Sequence, residues 1–194
     1  MPPIHLLIKP SSGNCNMRCD YCFYYDITEH REQASYGFMS EETLEQVIKK
    51  ALECAEGECS FSYQGGEPTL HGLAFFEKSL EFERKHNIHG VKINHALQTN
   101  GYCLNEDWAK FLADNHFLVG VSLDGSKDTH NAYRRSVKGE ETFFDIMKTI
   151  DILNEYQVEF NILTVVNRRT AGKVRKIYQF YKKNHLNYLQ FIPC

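Results

Sequence analysis

Short apolar runs alternate along the chain with longer stretches in which apolar positions recur every three to four residues. Ile4 to Ile8 is the first short run and predicts a strand. Ser40 stands as an N-cap before Leu44, Val47, Ile48, Ala51 and Leu52, whose spacing builds the single apolar face of a helix. Ser60 to Gln64 predicts a second strand, closed by Gly65-Gly66 and followed by a helix carrying Leu73, Phe76 and Leu80. A third strand runs from about Val91 to Gln98 and ends at Asn100-Gly101, after which Asn105 caps a helix bearing Trp108, Phe111 and Leu112. Leu118 to Leu123 is the fourth strand; its helix shows Phe143, Ile146, Met147, Ile150 and Leu153. Phe160 to Val166 is the fifth, with a helix marked by Val174, Ile177, Tyr178 and Tyr181, and Tyr188 to Ile192 is the sixth.

Strands that alternate with helices imply parallel βα units joined by right-handed crossovers. The pattern shows no linker, low-complexity segment or internal repeat, so residues 1–194 form one domain. Periodicity does not distinguish an open doubly wound sheet from a curved partial barrel. The polar motifs favour the barrel, because each follows the carboxyl end of a strand, and in a barrel those ends share one mouth.

Charge changes the picture little. With 22 basic and 25 acidic residues the formal net charge is −3 and the pI about 6.3, which leaves no electrostatic footprint for nucleic acid or a membrane surface. Met1-Pro2-Pro3-Ile4-His5 lacks the basic and apolar regions of a signal peptide, and no run approaches the ~18 apolar residues of a membrane span. A cytoplasmic protein is expected.

The cysteines change it most. In a reducing compartment, clustered thiols point to metal ligation rather than disulfides. Cys15, Cys19 and Cys22 stand in a C-x3-C-x2-C run after the first strand. Three thiolates hold a four-iron cubane with one iron free to chelate a small molecule. The competing zinc knot wants a fourth ligand, for which His30 is the nearest candidate. Cys54, Cys59, Cys103 and Cys194 are expected to be small buried hydrophobes. The nine histidines form no constellation; His71, His86, His89 and His116 read as loop or helix-end residues.

With aromatic Tyr21 before its last cysteine, the Cys15–Cys22 loop resembles that of the radical S-adenosylmethionine (SAM) superfamily, and Gly65-Gly66-Glu67-Pro68 matches the glycine-glycine-glutamate segment of that superfamily. The runs Cys22-Phe23-Tyr24-Tyr25, Leu97-Gln98-Thr99-Asn100-Gly101, Ser122-Leu123-Asp124-Gly125 and Leu189-Gln190-Phe191-Ile192 resemble, more narrowly, the anaerobic sulfatase-maturating enzymes over essentially the whole chain. The resemblance implies an α/β fold, a partial (β/α)6 TIM-like barrel of the radical SAM type. It also implies a [4Fe-4S] cluster that cleaves SAM reductively to methionine and a 5′-deoxyadenosyl radical, which oxidises a cysteine or serine of a sulfatase polypeptide to formylglycine. Reduced flavodoxin or ferredoxin would supply the electron.

Carried over by position, Cys15, Cys19 and Cys22 would hold the cluster. Tyr21 would approach the adenine or form a plain aromatic wall. Gly66 would let the backbone meet the methionine amine or simply turn the chain. Glu67 would accept from that ammonium or remain a solvated loop charge. Ser122 would contact the ribose or be a satisfied barrel hydroxyl. Arg134 would grip the SAM carboxylate, for which a guanidinium fork is suited, or be a surface arginine beside Arg135. Tyr24, Gln64 and Gln98 would hold the substrate peptide or satisfy one another, and Asp124 would order its own turn.

The family continues into a cysteine-rich C-terminal domain with two auxiliary clusters and a general base, which these 194 residues do not include. SAM cleavage can survive without it, whereas turnover to formylglycine is expected to need it. Ser126 stands where many relatives have proline. Two further possibilities remain: another peptide-modifying enzyme of the same core, such as one forming thioethers, and a metal-binding module without catalysis.

Overall fold

The computed structural model describes residues 3–194; Met1 and Pro2, which open the segment read as lacking a leader, lie outside the described residues. Along the chain the elements are β1 (Ile4–Ile8), β2 (Met17–Cys19), α1 (Phe23–Glu29), α2 (Glu41–Cys54), β3 (Glu58–Tyr63), a 3-10 turn (Pro68–His71) and α3 (Leu73–His86). Then follow β4 (Lys92–Thr99), α4 (Glu106–Asp114), β5 (Phe117–Ser122), α5 (Lys127–His130), β6 (Arg134–Ser136) and α6 (Phe143–Glu155). The last elements are β7 (Phe160–Val166), α7 (Arg168–Ala171), α8 (Val174–Lys183) and β8 (Leu189–Pro193).

Six strands form one parallel sheet in the order β1-β3-β4-β5-β7-β8. Each new strand is added on the same side of the last. A doubly wound sheet reverses direction at a switch point; this one never does, so it curls into a half-barrel. Burial alternates along β3, with Cys59, Phe61 and Tyr63 enclosed and Ser60 and Ser62 half-buried. The enclosed face meets the helices: Tyr63 packs on Phe76 of α3 with ring centroids 4.9 Å apart. The other face is the open concave side, where Leu7 of β1 and Leu118 of β5 remain exposed.

The core lies between the sheet and α2, α3, α4, α6 and α8. Leu44, Ile48 and Leu52 of α2 are fully buried, as their spacing predicts, and each contributes about 1.5–3 kcal/mol by leaving water. Both predicted caps are present: Ser40 accepts from Thr43 N at 3.2 Å and Asn105 from Trp108 N at 3.1 Å.

Ile4–Ile8 and Phe160–Val166 fall as expected, and the edges of the other four expected strands differ by one or two residues. Larger differences are the antiparallel ribbon of β2 and β6, and α1, which has no buried residue and therefore no apolar stripe to betray it. The expectation of four buried lone cysteines fails for three. Cys59 alone is buried, whereas Cys54 ends α2 facing solvent and Cys103 and Cys194 lie exposed in loops. Among the described residues no helix is long and apolar enough to cross a membrane.

Candidate functional site

The cysteine loop is built by pairing segments far apart in sequence. In the β2–β6 ribbon Met17 lies opposite Ser136 and Cys19 opposite Arg134. Asn16 O extends the ribbon by accepting from Val137 N at 3.1 Å, and Tyr133 O by accepting from Asp20 N at 3.1 Å. Cys22 closes the loop, donating its N–H to Cys19 O at 3.0 Å and capping α1. The three cysteines are free, half-buried thiols.

Burial pushes the Cys15 thiol up to about 12, and Glu67, Cys19 and Cys22 add repulsion against the opposing Met17 N–H. Burial likewise raises the Cys19 thiol, with Arg134 pulling the other way. Without a cation these groups stay protonated; a bound metal reverses that preference and takes them as thiolates. Three donors already point at sulfur: Met17 N and Asn100 Nδ2 toward Cys15 at 3.4 and 3.7 Å, and Arg134 Nη1 toward Cys19 at 3.8 Å. Such contacts tune iron–sulfur centres.

A zinc knot is not built here. Among the described residues no three His, Cys, Asp or Glu side chains converge on one ion. Zinc would draw thiolates to about 2.3 Å from a single centre. His30 turns its Nδ1 to Asp26 O of its own helix at 2.7 Å. Three thiols in electrostatic reach of one another, without a fourth ligand, suit a cluster with one open iron.

Asp124 does far more than order its own turn. It is fully buried, accepting from Arg134 Nε at 3.1 Å and from the Tyr21 hydroxyl through Oδ2, and from Val165 N at 2.9 Å through Oδ1. One carboxylate thus ties β5, β6, β7 and the cysteine loop. Arg134 is buried, not a surface arginine; its guanidinium lies 5.4 Å from the Tyr21 ring centroid, and the Tyr133 ring packs tilted against Tyr21 with centroids 5.7 Å apart. Behind it His130 is enclosed, its Nδ1 accepting from Asp124 N at 3.4 Å and its Nε2 meeting Thr142 Oγ1 at 3.1 Å. Burial, aided by Arg134, lowers His130 to about 3, so it is neutral.

Glu67 departs from one of its two expected readings. It is buried, not solvated, and four donors reach its carboxylate: Thr69 N and Oγ1 at 3.1 and 2.7 Å, Thr99 Oγ1 at 2.8 Å and Asn100 N at 2.7 Å. Three of these bonds fall on Oε1 and one on Oε2, so the carboxylate ties its own turn to the end of β4. Burial raises its pKa against the pull of those bonds. At Gly66 the turn itself requires glycine. Its φ is +56°, and a Cβ would overlap Asn14 O. The missing side chain admits the cysteine loop's own backbone, where Glu67 N donates to Asn14 O at 2.8 Å.

Gln64 donates to Tyr24 OH at 3.2 Å, and Lys9 Nζ sits 4.6 Å from that ring's centroid. Ser122 at the end of β5 and Gln98 near the end of β4 make no side-chain hydrogen bond among the described residues. Sequence reasoning missed Asn100, which donates to Asn16 Oδ1 at 2.8 Å and accepts from Tyr102 N at 2.8 Å, and also His130 and Tyr133. For Asn100 a signal existed in the Asn-Gly step closing its strand.

A model of the radical SAM superfamily matches residues 10–181. The cysteine-type anaerobic sulfatase-maturating enzyme of Clostridium perfringens is 50% identical over 194 residues, all of this chain and 52% of that protein. The serine-type enzyme of Bacteroides thetaiotaomicron is 33% identical over 192 residues, covering 98% of this chain and 46% of its own length. The chain thus spans about half the length of the curated relatives it matches. A solved structure of native anSMEcpe with bound AdoMet and the Cp18Cys peptide superposes with a TM-score of 0.94 at 49% identity, covering 100% of this chain and 51% of the other. The hydrogenase maturase HydG, 10% identical, shares the fold with a TM-score of 0.68 over 98% of this chain and 42% of its own. Three thiols without a fourth ligand, the glycine-glycine-glutamate turn packed on their loop, and a half-barrel of six parallel strands accompany that match: the chain belongs to the radical SAM superfamily.

Proposed function

We propose that this chain is the SAM-cleaving core of an anaerobic sulfatase-maturating enzyme acting on a cysteine in a sulfatase polypeptide. The carrying observation is the cysteine ribbon, with Arg134 opposite Cys19, in a fold that superposes at 0.94 on a relative holding AdoMet and a cysteine peptide. Cys15, Cys19 and Cys22 hold the [4Fe-4S] cluster. When bound, the cluster and SAM together supply a 5′-deoxyadenosyl radical able to take hydrogen from a substrate β-carbon.

The protein's own part is positioning. Asp124 fixes Arg134 and Tyr21, which leaves Nη2 of Arg134 for a carboxylate and the Tyr21 backbone for the adenine edge. Ser122 and Gln98, without protein partners, offer a hydroxyl and an amide to ligands entering the mouth. Gly66 contributes by letting the second loop close on the first. Tyr24 and Gln64 border the path of the peptide. Cysteine is favoured over serine because the cysteine-type relatives stand at 50% identity and the serine-type at 33–34%. Residues 1–194 supply SAM cleavage; completing the oxidation belongs to a cysteine-rich C-terminal domain of the kind the relatives' family carries. The reaction suits the reducing cytoplasm, with reduced flavodoxin or ferredoxin as the source of the electron.

The test is anaerobic reconstitution followed by incubation with SAM, dithionite and a cysteine-containing sulfatase peptide. Roughly four irons per chain and reductant-dependent deoxyadenosine are expected, and adding the relatives' C-terminal half should give loss of sulfur and gain of an aldehyde by mass spectrometry. One zinc per chain with no SAM binding would end this reading.

A further inference from the structure

The near balance of charge over the whole chain hides a strong asymmetry. All 25 acidic residues lie at or before Glu159, and seven of the 22 lysines and arginines follow it. Those seven sit on α7, on α8 and in the turn between them. Elsewhere Lys49, Lys78, Lys85 and Lys127 find carboxylates, Lys85 with Glu45 at 2.6 Å and Lys127 with Glu141 at 3.0 Å. Among the described residues none of the seven forms an ion pair. Ile177 and Tyr181 turn inward to the core, so the cations of α8 face solvent on the outside of the half-barrel.

A second observation places this face against the site. Arg169 and Lys173, with Thr129, Ala132, Tyr133 and Thr170, line a cavity of about 260 Å³ that contains no acidic residue. Tyr133 is its inner wall. The backbone oxygen of the same residue accepts from Asp20 N at 3.1 Å and its ring packs tilted on Tyr21 with centroids 5.7 Å apart, and Asp20 and Tyr21 both lie between Cys19 and Cys22. Tyr133 therefore touches both the cationic cavity and the cysteine loop.

We propose that α7, α8 and this cavity form the docking face for a small acidic one-electron carrier protein that reduces the centre held by Cys15, Cys19 and Cys22. The inference rests on the radical SAM reading above. One electron leaves the carrier's reduced flavin or iron–sulfur group, oxidising it by one electron, and reduces the cysteine-held centre by one. Charge complementarity selects an acidic partner and speeds its approach. Charge selects the occupant: Arg169 and Lys173 follow the carboxyl end of β7 beside Tyr133, and the exposed cations of α8 continue the same unpaired surface, which an acidic protein face complements.

The experiment compares the reconstituted chain with its Arg169→Glu/Lys173→Glu variant, using reduced flavodoxin as the probe. Binding is measured by calorimetry at low and high salt, and reduction by the fading of visible cluster absorbance in stopped flow. Steering by opposite charge is worth about tenfold or more in association rate at low salt. The variant should therefore bind and be reduced by flavodoxin at least about tenfold more slowly or weakly at low salt, and lose most of its salt dependence. Dithionite-driven deoxyadenosine release should be unchanged, which also verifies that the variant is folded. Should the double reversal unfold the chain, Lys176→Glu/Lys182→Glu on the exposed face of α8 carries the same expectation. Equal flavodoxin affinity and rate in parent and variant overturns the proposal, as does a loss confined to sulfatase-peptide binding. Failure of the parent with dithionite overturns instead the reading on which the proposal rests.

Discussion

The cysteine wall and the open side of the same mouth are built on opposite plans. On the wall, Asp124 holds Arg134 and Tyr21, leaving Arg134 Nη2 free, while Glu67 and Asn100 bond to each other and to the turns around them. On the open side, Ser122 and Gln98 have no protein partner and Gln64 has one, at 3.2 Å. Buried polar groups left unsatisfied are costly, so a group kept free at a mouth is poised for a ligand, whereas a saturated one is scaffold. Residue type alone does not separate the two: Glu67 has the chemistry of a ligand contact and the bonding of a structural knot.

Variants on the two sides should therefore fail differently. The largest effect is expected from Cys19→Ala, which should abolish both iron loading and deoxyadenosine formation; a brown, active variant would remove Cys19 from the ligand set. Next comes Asp124→Ala. Stripping a buried arginine of its carboxylate costs about 3–5 kcal/mol, so urea unfolding should show a loss of that order, and a loss below about 1 kcal/mol would mean that the wall is not held by this group. Gly66→Ala forces a Cβ into the Asn14 carbonyl at φ +56°. It should cost about 1–3 kcal/mol and lower iron content, while SAM affinity per loaded chain stays the same.

On the open side the pattern reverses. Ser122→Ala and Gln98→Ala should leave stability within about 0.5 kcal/mol, while SAM or peptide dissociation constants rise about 3- to 10-fold for a lost hydrogen bond. Destabilisation without an affinity change would move these residues to the scaffold. The smallest effect at neutral pH belongs to His130, which is held neutral in the fold with a pKa of about 3 against an ordinary 6.5. The unfolded chain takes up a proton on acidification where the folded one does not. The contribution is thus complete above pH 6.5 and lost as pH falls toward 3. His130→Gln should flatten the acid limb of the stability profile; superimposable parent and variant curves would exclude this role.

The strands and major helices were legible because their signals are local: a cap such as Ser40, an apolar face such as Leu44, Ile48 and Leu52. The cysteines were legible through spacing. What stayed hidden depends on contacts across long stretches of chain. Nothing near Met17 marks a three-residue strand, since its partner is Ser136. Asp124 looks like a turn residue until Tyr21, Arg134 and Val165 are seen to meet on it. Gly66 reads as a position that needs no side chain, and the neighbour a Cβ would meet there is the Asn14 carbonyl, distant in sequence.

The rung between Cys19 and Arg134 also sets an order of events during synthesis. The cysteines leave the ribosome first, yet the strand that holds them appears more than a hundred residues later, and chains emerge at only about 5–20 residues per second. For several seconds the nascent protein carries three reactive thiols in a loop with no partner. Loading before β6 has no folded cradle to enter, so the thiols stand open to zinc and oxidants until the Cys19–Arg134 rung forms.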